Sequence, residues 1–182
     1  WYWPRKLPER FVQALDIFAI HPSLLPRWPG PDPFFWAIAA GDSHTGISVY
    51  RVTAELDAGP IAYQARIRVR ADDTALSLSR RLDRLSLALL PQLAAEIRAE
   101  RLATEAQPSS PKRPPWARMP NENDLRVDWE APAEEILRLA RAARPKHRPS
   151  VCIAGRLWEA RAIFAANTHP ARLLEPGRTW TD

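Results

Sequence analysis

Residues 21–30 read His21-Pro22-Ser23-Leu24-Leu25-Pro26-Arg27-Trp28-Pro29-Gly30. Pro31 and Pro33 follow at once. Proline fixes φ and removes a backbone donor, so prolines at this density punctuate a stiff loop rather than a strand or helix. The residues just before, Leu15-Asp16-Ile17-Phe18-Ala19-Ile20-His21, read as a short buried strand that ends on the histidine. An imidazole at the C-terminal end of a strand, ahead of a rigid loop, stands where open α/β sheets place their sites.

Beyond the loop, Phe34 to Ala40 reads as a helix stopped at Gly41. Gly46 to Thr53 is β-branched and strand-like, with Ile47, Val49 and Arg51 on one side. Asp57-Ala58-Gly59-Pro60 is a turn, and Ile61 to Val69 alternates as a further strand. Residues 73–101 give the strongest helical signal. Leu78, Leu82, Leu85, Leu89, Leu93 and Ile97 recur at spacings of three and four and form one apolar stripe of core. Asp73 is the expected N-cap, with Asp72 beside it, and Pro91 is expected to kink or split the helix.

Residues 106–120 are rich in Pro, Ser and Lys/Arg and read as an extended linker. Leu125 to Trp129 resembles a strand. Pro132 at N1, with Glu134 and Glu135 in the first turn, starts a helix through about Ala143. Val151 to Ile153 and Arg156 to Phe164 suggest two strands joined at Gly155. The expected division is therefore residues 1–105, a linker at 106–120, and residues 121–182. No repeat at a period of about 20 to 50 residues is visible.

Composition narrows the class. The chain has 182 residues, 46% hydrophobic and 26% charged, which is the profile of a soluble globular protein of one domain or slightly more. No apolar run of about eighteen residues reads as a membrane span, and no leader is evident. The chain starts at Trp1, so it is expected to be a fragment of a longer protein. Its single cysteine, Cys152, lies between Val151 and Ile153 and is expected to be a small buried hydrophobe. One cysteine excludes a disulfide within the chain and a four-cysteine zinc site, and it fits a cytoplasmic location. His147 and His169 lack ligand partners at usable spacing, so no metal site is expected, and His44 reads as a solvated turn residue.

The formal net charge is +5, and most of it, +4, falls in residues 111–182. Arg138, Arg141, Arg144, Lys146 and Arg148 follow one another without an acid between them. Such a run fits a solvated helix end, where cations are favoured, or a set of contacts to nucleic-acid phosphates.

The segment 21–30 resembles the signature loop of the 10-formyltetrahydrofolate-dependent formyltransferases, an Asn-x-His pair followed by Ser-Leu-Leu-Pro and a glycine. The resemblance runs on through Trp36-Ala37-Ile38, Gly41-Asp42 and Thr45-Gly46-Ile47-Ser48-Val49 to Leu56-Asp57-Ala58-Gly59-Pro60-Ile61, the family's second signature. The later part is similar to the family's C-terminal domain at Val127-Asp128-Trp129, Pro132-Ala133-Glu134-Glu135-Ile136 and Arg141-Ala142. In pattern the chain looks most like the methionyl-tRNA formyltransferases. Arg144-Pro145-Lys146-His147-Arg148-Pro149 departs from the family, which usually has an aromatic and further prolines there.

The resemblance implies an α/β chain: part of a Rossmann-like catalytic core at residues 1–105, then an incomplete OB-like β-barrel domain at 121–182. It implies transfer of a formyl group from 10-formyltetrahydrofolate to the amine of methionyl initiator tRNA, by a cytoplasmic monomer. His21 and Asp57 would be catalytic. Ser23, Leu24, Leu25, Pro26, Gly30 and Gly59 would shape the folate site, and Arg138, Arg141, Arg144, Lys146 and Arg148 would meet tRNA. Two other readings stay open: a formyltransferase acting on a nucleotide-linked amino sugar, and a catalytically impaired RNA-binding or structural paralogue.

The chemistry suits these residue types. Attack of an amine on a formyl carbon creates an oxyanion and a protonated amine. A histidine can take that proton, a carboxylate can orient the ring, and a donor should face the oxyanion. Taken alone, His21 also fits a structural strand-end histidine and Asp57 a turn former. The chain departs from the family at Ala19, where an asparagine is expected two residues before the histidine. Loss of such a donor lowers rates by roughly 10²–10³-fold in other enzymes, and Ala19→Asn is expected to raise the rate.

Overall fold

In the computed structural model, residues 7–108 and 116–163 are described. Their elements, in chain order, are α1 (Glu9–Ala14), β1 (Phe18–His21), α2 (Pro33–Ala39), β2 (His44–Arg51), β3 (Ile61–Arg68), α3 (Ala75–Arg98), α4 (Ala133–Ala143), β4 (Ser150–Ile153) and β5 (Arg156–Glu159). β1, β2 and β3 form an antiparallel sheet in that order, and β4 pairs with β5 as a separate hairpin.

The sheet sorts its side chains by parity. Successive residues of a strand face opposite sides, and residues directly across an antiparallel pair share a side. Ile20, Ile47, Ala65 and Ile67 pack against the main core on one face, with Phe35 and Ile38 of α2 and Leu78 and Leu82 of α3. Leu78 and Leu82 are fully buried, worth about 1.5–3 kcal/mol each by apolar burial. The alternate positions Ala19, His21, Ser48, Tyr50 and Gln64 fall on the opposite face, because Ala19 pairs with Tyr50, His21 with Ser48, and Ser48 with Gln64. The site is built on that second face. Gly46 permits the close pairing: a Cβ there would lie 2.0 Å from the Ala65 carbonyl oxygen and 2.6 Å from Leu24 Cδ2.

Several sequence expectations change in detail. The N-cap of α3 is Thr74, in a reciprocal capping box with Ser77, and not Asp73. Asp73 is buried one residue earlier, accepting from Ser77 Oγ and pairing with Arg81. Pro91 does not split α3, which runs unbroken from Ala75 to Arg98. Ile97, at the end of the stripe, is exposed. Leu125 to Trp129 forms no strand. Only Arg126 bridges to Ser150, after which Asp128 accepts from the Glu130 and Ala131 backbone N–H groups and turns the chain. Cys152 is exposed, not buried, since the alternation of β4 turns Val151 inward instead.

The stretch expected to be an extended linker is tied down at both described ends. Glu105 exchanges backbone hydrogen bonds with Ile61, and Gln107 Nε2 donates to the Asp57 and Gly59 carbonyls at 2.7 and 2.9 Å. Ala117 is fully buried, accepts from Asp32 N and donates to the Pro29 carbonyl. α4 packs on α2, and its Ala142 and Ala143 enter the same core as Phe35 and Leu82. The expected strand reaching Phe164 ends at Glu159, and Phe164 lies outside the described residues, as does His169. Among the described residues, the second part holds a helix and a two-stranded hairpin. No described helix is long and apolar enough to cross a membrane.

Candidate active site

β1 delivers His21 to the rim of the polar face, where it is 6% exposed. Its two ring nitrogens have different surroundings. Nε2 lies 2.9 Å from the Trp28 carbonyl oxygen, which can only accept, so Nε2 carries the proton. Nδ1 faces Asp57 Oδ2 at 3.6 Å, too far for a hydrogen bond, and in the neutral ring it keeps its lone pair. Burial pulls the His21 pKa below the usual histidine value, while the Asp57 charge and the Trp28 carbonyl oppose that shift. The ring is therefore neutral at neutral pH, with a free basic nitrogen beside a carboxylate.

Asp57 sits in the loop between β2 and β3, at a positive φ of 53° that an aspartate tolerates better than most residues. Its carboxylate is fixed at both oxygens. Oδ2 accepts from Gly30 N at 2.8 Å, and Oδ1 accepts from the Tyr50 hydroxyl at 2.8 Å. Its backbone carbonyl accepts from Gln107. Gly59, just beyond, is required by close approach: a Cβ there would lie 1.7 Å from the Arg51 carbonyl oxygen.

The loop 22–30 is held from inside. Ser48 Oγ donates to the Ser23 carbonyl and accepts from Leu25 N. Gln64 Nε2 donates to the Leu25 carbonyl and to Ser48 Oγ. Ser23 Oγ donates to the Arg27 carbonyl at 2.6 Å. The residues expected to line a folate site thus divide. The Ser23 hydroxyl is engaged within the loop, the Ser23 carbonyl and the Leu25 backbone are engaged by Ser48 and Gln64 of the sheet, and the Gly30 N–H is engaged with Asp57. Leu24 packs on Gly46 beside the half-buried Pro26. They shape the loop more than they offer free hydrogen bonds.

Trp28 couples the loop to the next turn. Asp42, after α2, accepts from Trp28 Nε1 at 2.7 Å and from the Arg27 guanidinium at 2.8 and 2.6 Å. The Arg27 guanidinium lies 4.5 Å over the Trp28 ring, which stacks on Trp36 at 5.9 Å. Asp42 thereby fixes Trp28, whose carbonyl fixes the tautomer of His21. At the far end of the loop, Asp32 caps α2 and meets His147 Nε2 at 3.1 Å.

The sequence reading missed Tyr50, Ser48, Gln64 and Gln107. A signal for the first two was present: polar Ser48 and Tyr50 alternate with Ile47 and Val49, which marks a strand face that does something other than pack. The five basic residues do not form one surface. Arg138 pairs with Glu134 at 2.7 Å and lies against Gly41. Arg141 donates to the Ala71 and Leu137 carbonyls. Arg144, Lys146 and Arg148 are exposed, although Lys146 stands 3.7 Å from Asp32 and Arg148 stands 3.8 Å from Glu159. Ala19 is half-buried on the His21 face.

A mixed α/β fold with an imidazole–carboxylate pair at a strand end is the class that these features define. The formyl transferase family profile matches residues 2–94, and the chain belongs to that family. The methionyl-tRNA formyltransferase of Acidithiobacillus ferrooxidans is 36% identical over 149 residues, covering 80% of this chain and 47% of that protein. The chain spans about half the length of the curated relatives it matches. Two solved structures share the fold. A 4-N formyltransferase from Francisella tularensis superposes with a TM-score of 0.76 at 16% identity, over 91% of this chain and 69% of that one. HypX from Aquifex aeolicus, in complex with tetrahydrofolic acid, gives 0.71 at 21% identity, over 86% and 27%.

Proposed function

We propose that this chain is part of a methionyl-tRNA formyltransferase, moving the formyl group of 10-formyltetrahydrofolate to the amine of methionyl initiator tRNA. The carrying observation is the free His21 Nδ1, 3.6 Å from Asp57, within a family member whose curated relatives are methionyl-tRNA formyltransferases. As the amine nitrogen bonds to the formyl carbon, the carbonyl electron pair moves to oxygen and the nitrogen gains positive charge. His21 Nδ1 takes the amine proton, and the new imidazolium is stabilised by Asp57. When the carbon–folate nitrogen bond breaks, the same proton goes to the leaving nitrogen. Trp28 keeps Nε2 protonated throughout, so the ring cannot turn its basic nitrogen away. The folate is proposed to lie over the Leu24 and Pro26 surface of the loop, since the polar groups beneath are already engaged.

In this reading Arg144, Lys146 and Arg148 meet tRNA phosphates, residues 1–105 are the catalytic unit, and the β4–β5 hairpin begins an OB-like second domain within residues 121–182, whose helix α4 packs into the catalytic unit's core. The acceptor places the enzyme in the cytoplasm. The test supplies the full-length protein and 10-formyltetrahydrofolate with either charged initiator tRNA or a nucleotide-linked amino sugar. Formylation of the tRNA, lost in His21→Ala, is expected. Formylation of the sugar alone would install that acceptor instead, and formylation of neither would leave a binding paralogue.

A further inference from the structure

We propose that Tyr50 is a positioning residue of this site, holding Asp57 in place for His21, and that alanine at position 19 is what makes room for it. The proposal rests on the reading that His21 and Asp57 act as a pair. Ala19 is the cross-strand partner of Tyr50. Such partners project from the same face with Cβ atoms about 4.5–5.5 Å apart. His21, two residues along β1, is on that face as well. Position 19, Tyr50 and His21 therefore share one patch of that face.

Tyr50 is 7% exposed, and its hydroxyl donates to Asp57 Oδ1 at 2.8 Å. The other carboxylate oxygen is held by Gly30 N and faces His21 Nδ1. Gly30 N alone would leave the carboxylate able to rotate about that single contact; the phenol supplies the second point. Burial and the Asp57 charge both push the Tyr50 pKa up, so the hydroxyl stays protonated and remains a donor. Ala19 is half-buried, but the ring it faces is buried, so a longer side chain at position 19 would stand beside the phenol and press on it, and overpacking a buried ring forces it to shift. On this proposal Ala19→Asn does not restore a useful donor; its amide displaces Tyr50 from Asp57 instead.

A buried tyrosine also needs a partner for its hydroxyl, and Asp57 could serve Tyr50 rather than the reverse. The two roles separate in the titration of His21. The full-length protein, with isotope-labelled imidazole, is titrated by NMR as wild type, Tyr50→Phe, Ala19→Asn and the double variant. Positioning predicts that Tyr50→Phe lets Asp57 drift, so the His21 midpoint falls. Ala19→Asn lowers it similarly, and the double variant falls no further than either single one. In the formylation assay, Tyr50→Phe lowers kcat by about tenfold with KM little changed, as for an interaction that matters at the transition state. A His21 midpoint that stays put or rises in Tyr50→Phe overturns the proposal, as do additive shifts in the double variant. Should Tyr50→Phe fail to fold, an unchanged midpoint in Ala19→Asn overturns it alone. If the wild type formylates no acceptor while the NMR shifts occur as expected, the functional reading fails and the positioning role stands.

Discussion

The polar face of the β1–β2–β3 sheet and the segment from Arg138 to Arg148 are both dense in groups that chemistry can use, but the fold treats them differently. On the sheet face, polar side chains are built into a network. Ser48 and Gln64 fix the loop, Tyr50 and Gly30 fix Asp57, and Trp28 fixes one nitrogen of His21. One basic atom, His21 Nδ1, is left over. In the basic segment the reverse holds: Arg138 and Arg141 are spent on helix and loop contacts, and the remaining cations stand in water with long or weak pairings. Preorganised groups in a buried site act strongly on a reaction. Exposed cations act weakly one by one, through long-range attraction that salt screens.

The largest effect should come from the leftover nitrogen. Under the proposed reading, in which His21 is the general base and tRNA the acceptor, His21→Ala is expected to lower kcat/KM by roughly 10²–10⁴-fold, the usual worth of such a base, with tRNA affinity unchanged. A loss of binding instead would show that the sheet face serves recognition. On that reading the same residue sets the acid limb of the pH profile. Its folded pKa lies below the usual 6.5, so kcat/KM should fall only as the pH drops through that lowered value. Stability runs in the same direction. Between the unfolded value and the lowered folded one, the unfolded chain binds more protons, so stability declines as pH falls through that window. A urea-midpoint series against pH checks it, and stability that rises on acidification across that window would contradict a buried neutral ring.

Next in size is Gly46→Ala. The added Cβ meets the Ala65 carbonyl and Leu24 at once, so β2 and β3 must separate locally, at a cost of about 1–3 kcal/mol or more. Chemical denaturation measures it, and a neutral substitution would mean that the sheet face is softer than the network implies. For the basic segment, the proposed tRNA contact predicts that Arg144→Ala with Lys146→Ala reduces the salt slope of tRNA binding by about one unit for each phosphate no longer neutralised, leaving folate affinity alone. Arg141→Ala should instead cost stability, about 1 kcal/mol, because it frees the Ala71 carbonyl. If Arg141→Ala changes the salt slope as much as the double variant, the division drawn within this segment is wrong. Smallest of all, Cys152→Ser on the exposed side of β4 should move stability by no more than about 0.5 kcal/mol.

The loop from His21 to Gly30 and the Asp57 turn were legible in the sequence because proline and glycine impose or permit particular local geometry wherever they occur. The leucine stripe of α3 was legible for a similar reason, since its period needs no knowledge of a partner. The alternation of β2 was legible too, but not its consequence, because parity says that two faces exist and not which residue of another strand lies opposite. That Ala19 meets Tyr50, and that Tyr50 reaches Asp57 seven residues on, depends on the register between β1 and β2 and on the path of the loop back to the sheet. Which arginines of the basic run remain free was equally hidden, since Arg138 and Arg141 are spent on groups that only folding brings near. The sequence by itself determined the local pieces, namely the family signatures, the rigid loop and the amphipathic helix. The tertiary structure alone decided which polar group found which partner, because hydrogen bonds between strands and loops are set by distances that no local rule fixes.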